Sequence, residues 1–140
     1  MNRLIEAVPN FSEGRDQTKI ARIAEAIIET QGAHVLHVDP GHDANRTVIT
    51  LAGTPEAVIE GLFNAFKVAQ EVIDMHTQTG AHPRMGAVDV CPLVPLNGVS
   101  FAECVQFAQK LGERVGRELN IPVVHYELAA TAPHRKLLAN

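Results

Sequence analysis

The chain has 140 residues, a formal net charge of -4 and 46% hydrophobic residues, which fits one folded domain with a sizeable core. The acidic balance argues against a nucleic-acid binder, which needs a basic face, and no apolar run is long enough to span a membrane. The first residues lack the apolar core of a signal peptide. We therefore expect a cytoplasmic protein in which Cys91 and Cys104 are reduced thiols.

The first part of the chain predicts a strand followed by a helix. Leu4 to Val8 forms the strand, Pro9 closes it, and the turn-rich segment 10–16 links it to the helix. Apolar residues recur at helical spacing from Ile20 to Ile28, and Gln31-Gly32 ends the helix. We therefore expect this helix to bury one apolar face.

Two further strands are predicted next, His34 to Asp39 and Arg46 to Leu51. The polar loop 40–45 between them is short, so the two strands are expected to form an antiparallel hairpin. His34 and His37 are an odd number of positions apart, and strict alternation therefore predicts that they face opposite sides of the strand.

The second half of the chain predicts two helices and two strands. Thr54-Pro55-Glu56 starts a helix, because it combines a capping hydroxyl, a proline at the first helical position and an acid in the first turn. Val88 to Val94 predicts a fourth strand, and Ser100 to Glu103 is a capping box that opens a third helix. Cys104 lies on the apolar stripe of that helix and is expected to be a core residue. Val123 to Leu128 predicts a last strand.

The predicted order is β-α-β-β-α-β-α-β, and its first six elements match the ferredoxin-like split arrangement. We therefore expect an α+β fold with a ferredoxin-like β-α-β-β-α-β core and an added α-β unit. The sheet is expected to be mixed, mostly antiparallel and covered by helices. No internal repeat or linker divides the chain, so residues 1–140 are predicted to be a single domain.

The segment from Gly80 to Pro92 carries the most suggestive chemistry. His82 precedes a proline, which holds its backbone extended, and its ring titrates near neutral pH. Such a ring on a stiff loop suits proton transfer, although an ordinary surface or hydrogen-bonded histidine is the alternative. Arg84, two positions further on, offers a guanidinium that can grip a carboxylate in two-point fashion.

A metal site is the weaker hypothesis. His37, Asp39, His42 and Asp43 are close in sequence and could in principle hold an ion. Loops of this composition are more often turns in which Asp and Asn side chains bond their own backbone, and no familiar ligand spacing is present. We therefore predict no metal.

Three segments together resemble one family. They are Val8 to Arg15, then Asp39 with Asn45 to Val48, and then His82 to Pro92. Along nearly its whole length the chain resembles the N-terminal subdomain of glutamate formiminotransferase, the enzyme also found fused to a cyclodeaminase. The resemblance implies transfer of a formimino group from N-formimino-L-glutamate to N5 of tetrahydrofolate, a step of histidine degradation, with tetrahydrofolate as co-substrate.

The resemblance also implies roles for individual residues. His82 matches the family's catalytic acid-base histidine, and Asp39 matches an aspartate associated with the active site. Arg84 and Arg46 are the nearest candidates in these motifs for binding the substrate carboxylates, although either could instead form a surface or structural ion pair. Asn10 and Glu13 could line the same site or merely cap the first helix.

The family's complete transferase domain has a second, similar α/β subdomain, and folate lies between the two. That second subdomain is not within these 140 residues. The chain is therefore expected either to be half of a two-subdomain active site or to be a stand-alone, non-catalytic interaction or dimerisation module. Its expected partners are small-molecule substrates together with a second subdomain or a second copy of itself, and neither nucleic acid nor membrane.

Overall fold

The computed structural model describes residues 3–73 and 91–119, which form an antiparallel sheet and three helices. In chain order the elements are β1 Leu4–Ala7, β2 Asn10–Phe11, α1 Gln17–Ile28, β3 Ala33–Gly41, β4 Arg46–Gly53, α2 Pro55–Val72, β5 Leu93–Asn97 and α3 Phe101–Glu118. The predicted α+β class is therefore confirmed. None of the helices in this described part is long and apolar enough to cross a membrane.

Strand β4 pairs along both of its edges. One edge bonds β3, and the other bonds β1 and β2, which lie end to end beside it. Strand β1 pairs in turn with β5, so the sheet runs β3, β4, β1 and β5 across its width. Each of these pairings is antiparallel, and the predicted hairpin of β3 and β4 is confirmed.

Strands β1 and β2 are two parts of one interrupted strand. The sequence predicted that Pro9 closes the first strand and that residues 10–16 form a turn-rich link. Instead Asn10 and Phe11 pair with β4, and the Ile49 N–H donates to the Pro9 carbonyl at 3.1 Å, which carries the pairing past the proline. Phe11 is fully buried and meets Phe66 of α2 with ring centroids 6.2 Å apart. This aromatic contact holds the extra segment in the sheet.

Strand β3 contains an irregularity that changes which side chains share a face. Val35 lies opposite Leu51 and His37 lies opposite Thr50, so Leu36 is an extra residue in the ladder. His34 lies opposite Ala52, two positions from Thr50, and both histidines therefore lie on the same face of the sheet. The prediction that they face opposite sides was wrong, because strict alternation does not hold across a bulge.

The helices begin at the predicted residues. The Thr54 hydroxyl accepts from the Ala57 N–H with Pro55 at the first helical position, and the capping box of Ser100 and Glu103 is present. Helix α1 begins after Asp16, whose carboxylate accepts from two backbone N–H groups of its first turn. It ends at Ile28, a few residues before the predicted Gln31-Gly32 stop.

The Arg114 side chain of α3 links that helix to α2. Arg114 donates to Glu60 at 2.8 Å, and its guanidinium carbon lies 3.7 Å from the centre of the Phe63 ring. A cation over a ring and an ion pair on the same side chain reinforce each other, because both require the guanidinium in one position. Arg114 thus contributes to the packing of α3 against α2.

The sheet has one buried face and one partly exposed face. Along β4 the residues Thr47, Ile49, Leu51 and Gly53 are buried, whereas the alternate ones are partly exposed. We call the partly exposed side the open face; on β4 it carries Arg46, Val48, Thr50 and Ala52. The predicted fourth strand, Val88 to Val94, is observed as Leu93–Asn97: Cys91 and Pro92 lie outside the strand, which continues past Val94, and residues 88–90 lie outside the described part. The predicted strand Val123 to Leu128 also lies outside it.

The close contact of β4 with Gly32, the residue before β3, yields a stability prediction. A Cβ on Gly53 would meet the Gly32 carbonyl oxygen at 2.1 Å, a backbone atom that cannot swing aside. Gly53→Ala should therefore lower the free energy of unfolding by about 2 kcal/mol or more, on the scale of overpacked sites. Urea titration followed by circular dichroism measures the change.

The matched control is Gly116→Ala, the same substitution at an exposed position inside α3. It should raise the free energy of unfolding by about 1 kcal/mol, because alanine is the better helix former. Equal and small effects at the two glycines would contradict the packing argument.

Candidate functional site

Three strands contribute one row of side chains to the open face. Val48 on β4 lies opposite Asp39 of β3 on one side and opposite Asn10 of β2 on the other. Residues directly opposite in a ladder share a face, so the carboxylate and the amide flank the valine. Two strand spacings separate them, about 10 Å between backbones. A small molecule could lie on Val48 and reach both polar groups.

Arg46 extends this row toward the hairpin end. It precedes Val48 by two positions on β4, so it lies on the open face, and its register partner on β3 is Gly41. The side chain is partly buried. A guanidinium suits a carboxylate, and a carboxylate such as that of Asp39 suits a cation. The open face thus offers charges of both signs within one small area, which we call the polar row: Asn10, Asp39 and Arg46.

Glu13 has a different environment from the polar row. It is only 4% exposed, and its Oε2 accepts from the backbone N–H groups of Arg15 at 3.1 Å and Asp16 at 3.0 Å. Its Oε1 lies 3.9 Å from the ammonium group of Lys19. Of the two alternatives for Glu13, these contacts favour ordering the start of α1 over lining the site.

From Cys91 onward the chain is described again, and it lies at the end of the sheet where the polar row lies. His82 and Arg84 themselves lie outside the described residues. The first strand residue after them, Leu93, pairs with Ala7, and the Val8 N–H donates to the Pro92 carbonyl at 3.1 Å. Val8 is two residues before Asn10. The returning chain is therefore anchored beside the polar row.

Two loops next to the polar row are bound to each other. The Gly14 N–H donates to Asn45 Oδ1 at 2.8 Å, and the Thr47 hydroxyl donates to the Glu13 carbonyl. Arg15 adds a further bond through its Nε, which donates to the His42 carbonyl at 2.8 Å. We call this contact between residues 12–16 and 42–47 the loop junction. This junction was not predicted from the sequence, although Gly14 and Asn45 both lie within segments that carry the family resemblance.

The hypothesised metal cluster is not assembled as a set. His37 and Asp39 share the open face, and His42 Nδ1 lies 3.7 Å from Asp43 Oδ1 at an exposed position. Within residues 3–73 and 91–119, no group of three or more His, Cys, Asp and Glu side chains is arranged to hold an ion.

The two cysteines are buried thiols. Cys91 and Cys104 are both free and fully enclosed, as predicted for Cys104. Burial raises the pKa of Cys91 far above its ordinary value. Burial, with the nearby charge of Glu103, also raises the pKa of Cys104. Because the thiolate is the nucleophile, neither cysteine has the environment of a nucleophilic residue.

Fold and site together define a class: an α+β domain that presents a polar row on the open face of an antiparallel sheet. Residues 4–140 match the protein family described as "Formiminotransferase domain, N-terminal subdomain". The chain belongs to that family.

Relatives with known names agree with this assignment. The chain is 51% identical over 138 residues to formimidoyltransferase-cyclodeaminase of Dictyostelium discoideum, covering 99% of this chain and 26% of that protein. It is 45% identical to glutamate formimidoyltransferase of Thermoplasma acidophilum, covering 97% of this chain and 45% of the relative. For the enzyme of the same name from Streptococcus pyogenes serotype M1 the identity is 41%, covering 99% and 46%. The chain therefore spans from about a quarter to just under half of these relatives.

The environment of the cysteines predicts slow thiol chemistry. In the native protein Cys91 and Cys104 should react with a thiol reagent at pH 7.5 at least about 100-fold more slowly than in denaturant, because the thiolate is rare and shielded. With a chromogenic disulfide as the reagent, the absorbance of the thiolate that it releases measures both rates. Fast reaction of one thiol in the native protein would contradict its burial.

The same burial has a pH dependence. Cys91 and Cys104 hold their protons more tightly in the folded protein than in the unfolded chain. Their contribution to the free energy of unfolding is therefore fully present below the ordinary thiol pKa of about 8.5. Above it the unfolded chain loses its thiol protons first, and the free energy of unfolding should decrease as the pH rises.

Proposed function

We propose that this chain supplies the N-terminal half of a site that transfers the formimino group of N-formimino-L-glutamate to N5 of tetrahydrofolate. The observation that carries the proposal is the convergence on one end of the open face. Asp39 and Asn10 flank Val48, Arg46 follows on the same face, and the segment after His82 returns beside Val8. Two of the three matched sequence segments therefore lie side by side, and Pro92, in the described end of the third, bonds the first of them at Val8.

The reaction needs one proton removed and one proton supplied. N5 of tetrahydrofolate attacks the formimino carbon and forms a new C–N bond, and the bond from that carbon to the glutamate nitrogen breaks. A single imidazole with a pKa near its usual value of about 6.5 can accept the proton of the attacking nitrogen and return it to the departing one. We assign this role to His82, as the family resemblance implies.

Asp39 and Arg46 have complementary roles in this proposal. The formimino group is an amidine and becomes cationic when it is protonated, so the exposed carboxylate of Asp39 can stabilise it. The glutamate part carries two carboxylates, for which Arg46 is the cation on the open face and Arg84 is the second candidate. The Asn10 amide, across Val48 from Asp39, can donate or accept a hydrogen bond.

Glu13 acts indirectly in this proposal. Its carboxylate is occupied by the backbone N–H groups of Arg15 and Asp16, so we assign it to ordering the loop that follows Asn10. It would then support the substrate site without contacting the substrate.

The other half of the site is proposed to come from a second subdomain, which would hold the folate against this one. The chain matches an N-terminal subdomain and spans less than half of each of the three relatives described above, which supports a partner of this kind. We further propose that the fold is ferredoxin-like. The sheet order β3, β4, β1, β5 is the order expected of a β-α-β-β-α-β unit when β1 and β2 count as one strand. A cytoplasmic location follows from this metabolic role.

The first test concerns His82. With the second half of the protein present, His82→Ala should lower formimino transfer by about 100-fold or more, the usual scale of a lost acid-base group, while the circular dichroism spectrum stays native. The assay measures 5-formiminotetrahydrofolate formed from N-formimino-L-glutamate and tetrahydrofolate. Near-normal turnover by the folded variant would remove His82 from the mechanism. No turnover by the wild-type protein would favour the non-catalytic module.

A second test concerns the charge of Asp39. Asp39→Asn keeps the shape but removes the negative charge, and it should lower kcat/KM by about tenfold or more, because the cationic amidine loses its counter-ion. Asp43→Asn is the matched control: it removes the same charge from an exposed side chain in the same hairpin. Equal effects of the two substitutions would show that only net charge matters and would contradict a specific role for Asp39.

A further inference from the structure

The loop junction joins the two chain segments that carry the polar row. Asn10 precedes the loop 12–16, whereas Asp39 and Arg46 lie on the two arms of the hairpin that is closed by residues 42–45. The relative position of Asn10 and Arg46 therefore depends on how these two loops hold each other, as well as on the short pairing of β2 with β4.

Asn45 is the central residue of this contact. Its backbone has φ of +53°, a left-handed conformation that asparagine tolerates better than most residues. It is 4% exposed, and its Oδ1 accepts the Gly14 N–H at 2.8 Å across the junction. A buried asparagine in this conformation combines a turn with a fixed acceptor, and it directly precedes Arg46 in the chain.

Gly14 shows how closely the two loops approach each other. A Cβ at this position would lie 2.4 Å from the Gly41 carbonyl oxygen, 2.5 Å from the Arg46 nitrogen and 2.7 Å from the Arg46 carbonyl oxygen. The Arg46 backbone thus packs directly on the Gly14 backbone, with no space for a side chain between them.

The Arg15 side chain binds the turn of the β3–β4 hairpin. Its Nε donates to the His42 carbonyl at 2.8 Å, and its Nη2 donates to the Asp43 carbonyl at 3.4 Å. The planar guanidinium holds both carbonyls at once, which a lysine cannot do in the same geometry. Two backbone positions of the turn are thus fixed from the first loop.

We propose that Asn45, assisted by Gly14 and Arg15, is a positioning residue that fixes Arg46 relative to Asn10 for binding of a dicarboxylic substrate. This inference rests on the proposed function, in which Arg46 binds a substrate carboxylate. Arg46 makes that contact in both the ground state and the transition state. Loss of the loop junction therefore weakens substrate binding and leaves the chemical step nearly unchanged.

The experiment compares two substitutions of Asn45. Asn45→Gly keeps the left-handed conformation accessible and removes the acceptor for the Gly14 N–H. Asn45→Asp keeps an acceptor oxygen in a residue that also tolerates this conformation. Arg15→Lys is a second variant on an exposed side chain, and it keeps the charge but not the two-point bond. Arg22→Gln, an exposed arginine on α1, is the control.

Two measurements are made on each variant. Steady-state kinetics with N-formimino-L-glutamate gives KM and kcat in the presence of the second half of the protein. Amide hydrogen exchange and the Arg46 Nε signal by NMR of the full chain report the loop junction independently of any activity.

We expect Asn45→Gly and Arg15→Lys to raise KM by about tenfold with kcat within about threefold, and Asn45→Asp and Arg22→Gln to stay near wild type. Gly14 amide exchange should accelerate in Asn45→Gly and return toward wild type in Asn45→Asp. Faster exchange with unchanged KM overturns the proposal, as does a fall in kcat alone. If the wild-type protein transfers no formimino group, the proposed function fails. The NMR signals then decide whether Asn45 positions Arg46: an Arg46 signal unchanged by Asn45→Gly overturns the inference.

Discussion

The hydrogen bonding of β4 along both of its edges is the constraint on which the rest of the structure depends. A strand with two neighbours can place the same residue opposite a partner on each side, and Val48 has Asp39 on one side and Asn10 on the other. The alternation of side chains along β4 also assigns its residues to the two faces of the sheet. Its odd-numbered residues enter the core beneath the helices, and its even-numbered residues form the open face. Shifting β4 by one residue would exchange these two sets, so the core and the polar row require the same register.

Much of this architecture could be predicted from local chemistry. The capping signals at Thr54 and Ser100 fixed the starts of two helices, because a cap depends on a few adjacent residues. The hairpin of β3 and β4 was also predicted from its short polar loop. By contrast, the pairing of Asn10 and Phe11 beyond Pro9 was missed, because it depends on the distant contact of Phe11 with Phe66. The extra residue at Leu36 was missed because a bulge interrupts the period-two pattern used to assign faces.

The site could be predicted only in part, and for a related reason. The identity of Asp39, Arg46 and Asn10 as candidates came from the family resemblance, whereas nothing in their spacing along the chain shows that Asp39 and Asn10 flank one residue. That arrangement follows from strand order and register. No role was predicted for Asn45, because the hydrogen bond that distinguishes it reaches a backbone amide 31 positions away. Sequence reasoning identifies chemical groups well, but it does not identify the neutral residues that hold them in place.

The bulge at Leu36 also affects how another chain could approach the molecule. Within the described residues β3 bonds only β4, so its far side is an edge of the described part of the sheet. A regular edge strand of nine residues would be a template on which a foreign strand could pair. The extra residue breaks the even spacing of donors and acceptors along that edge and adds local twist. The irregularity therefore discourages a foreign strand from pairing along the full length of β3.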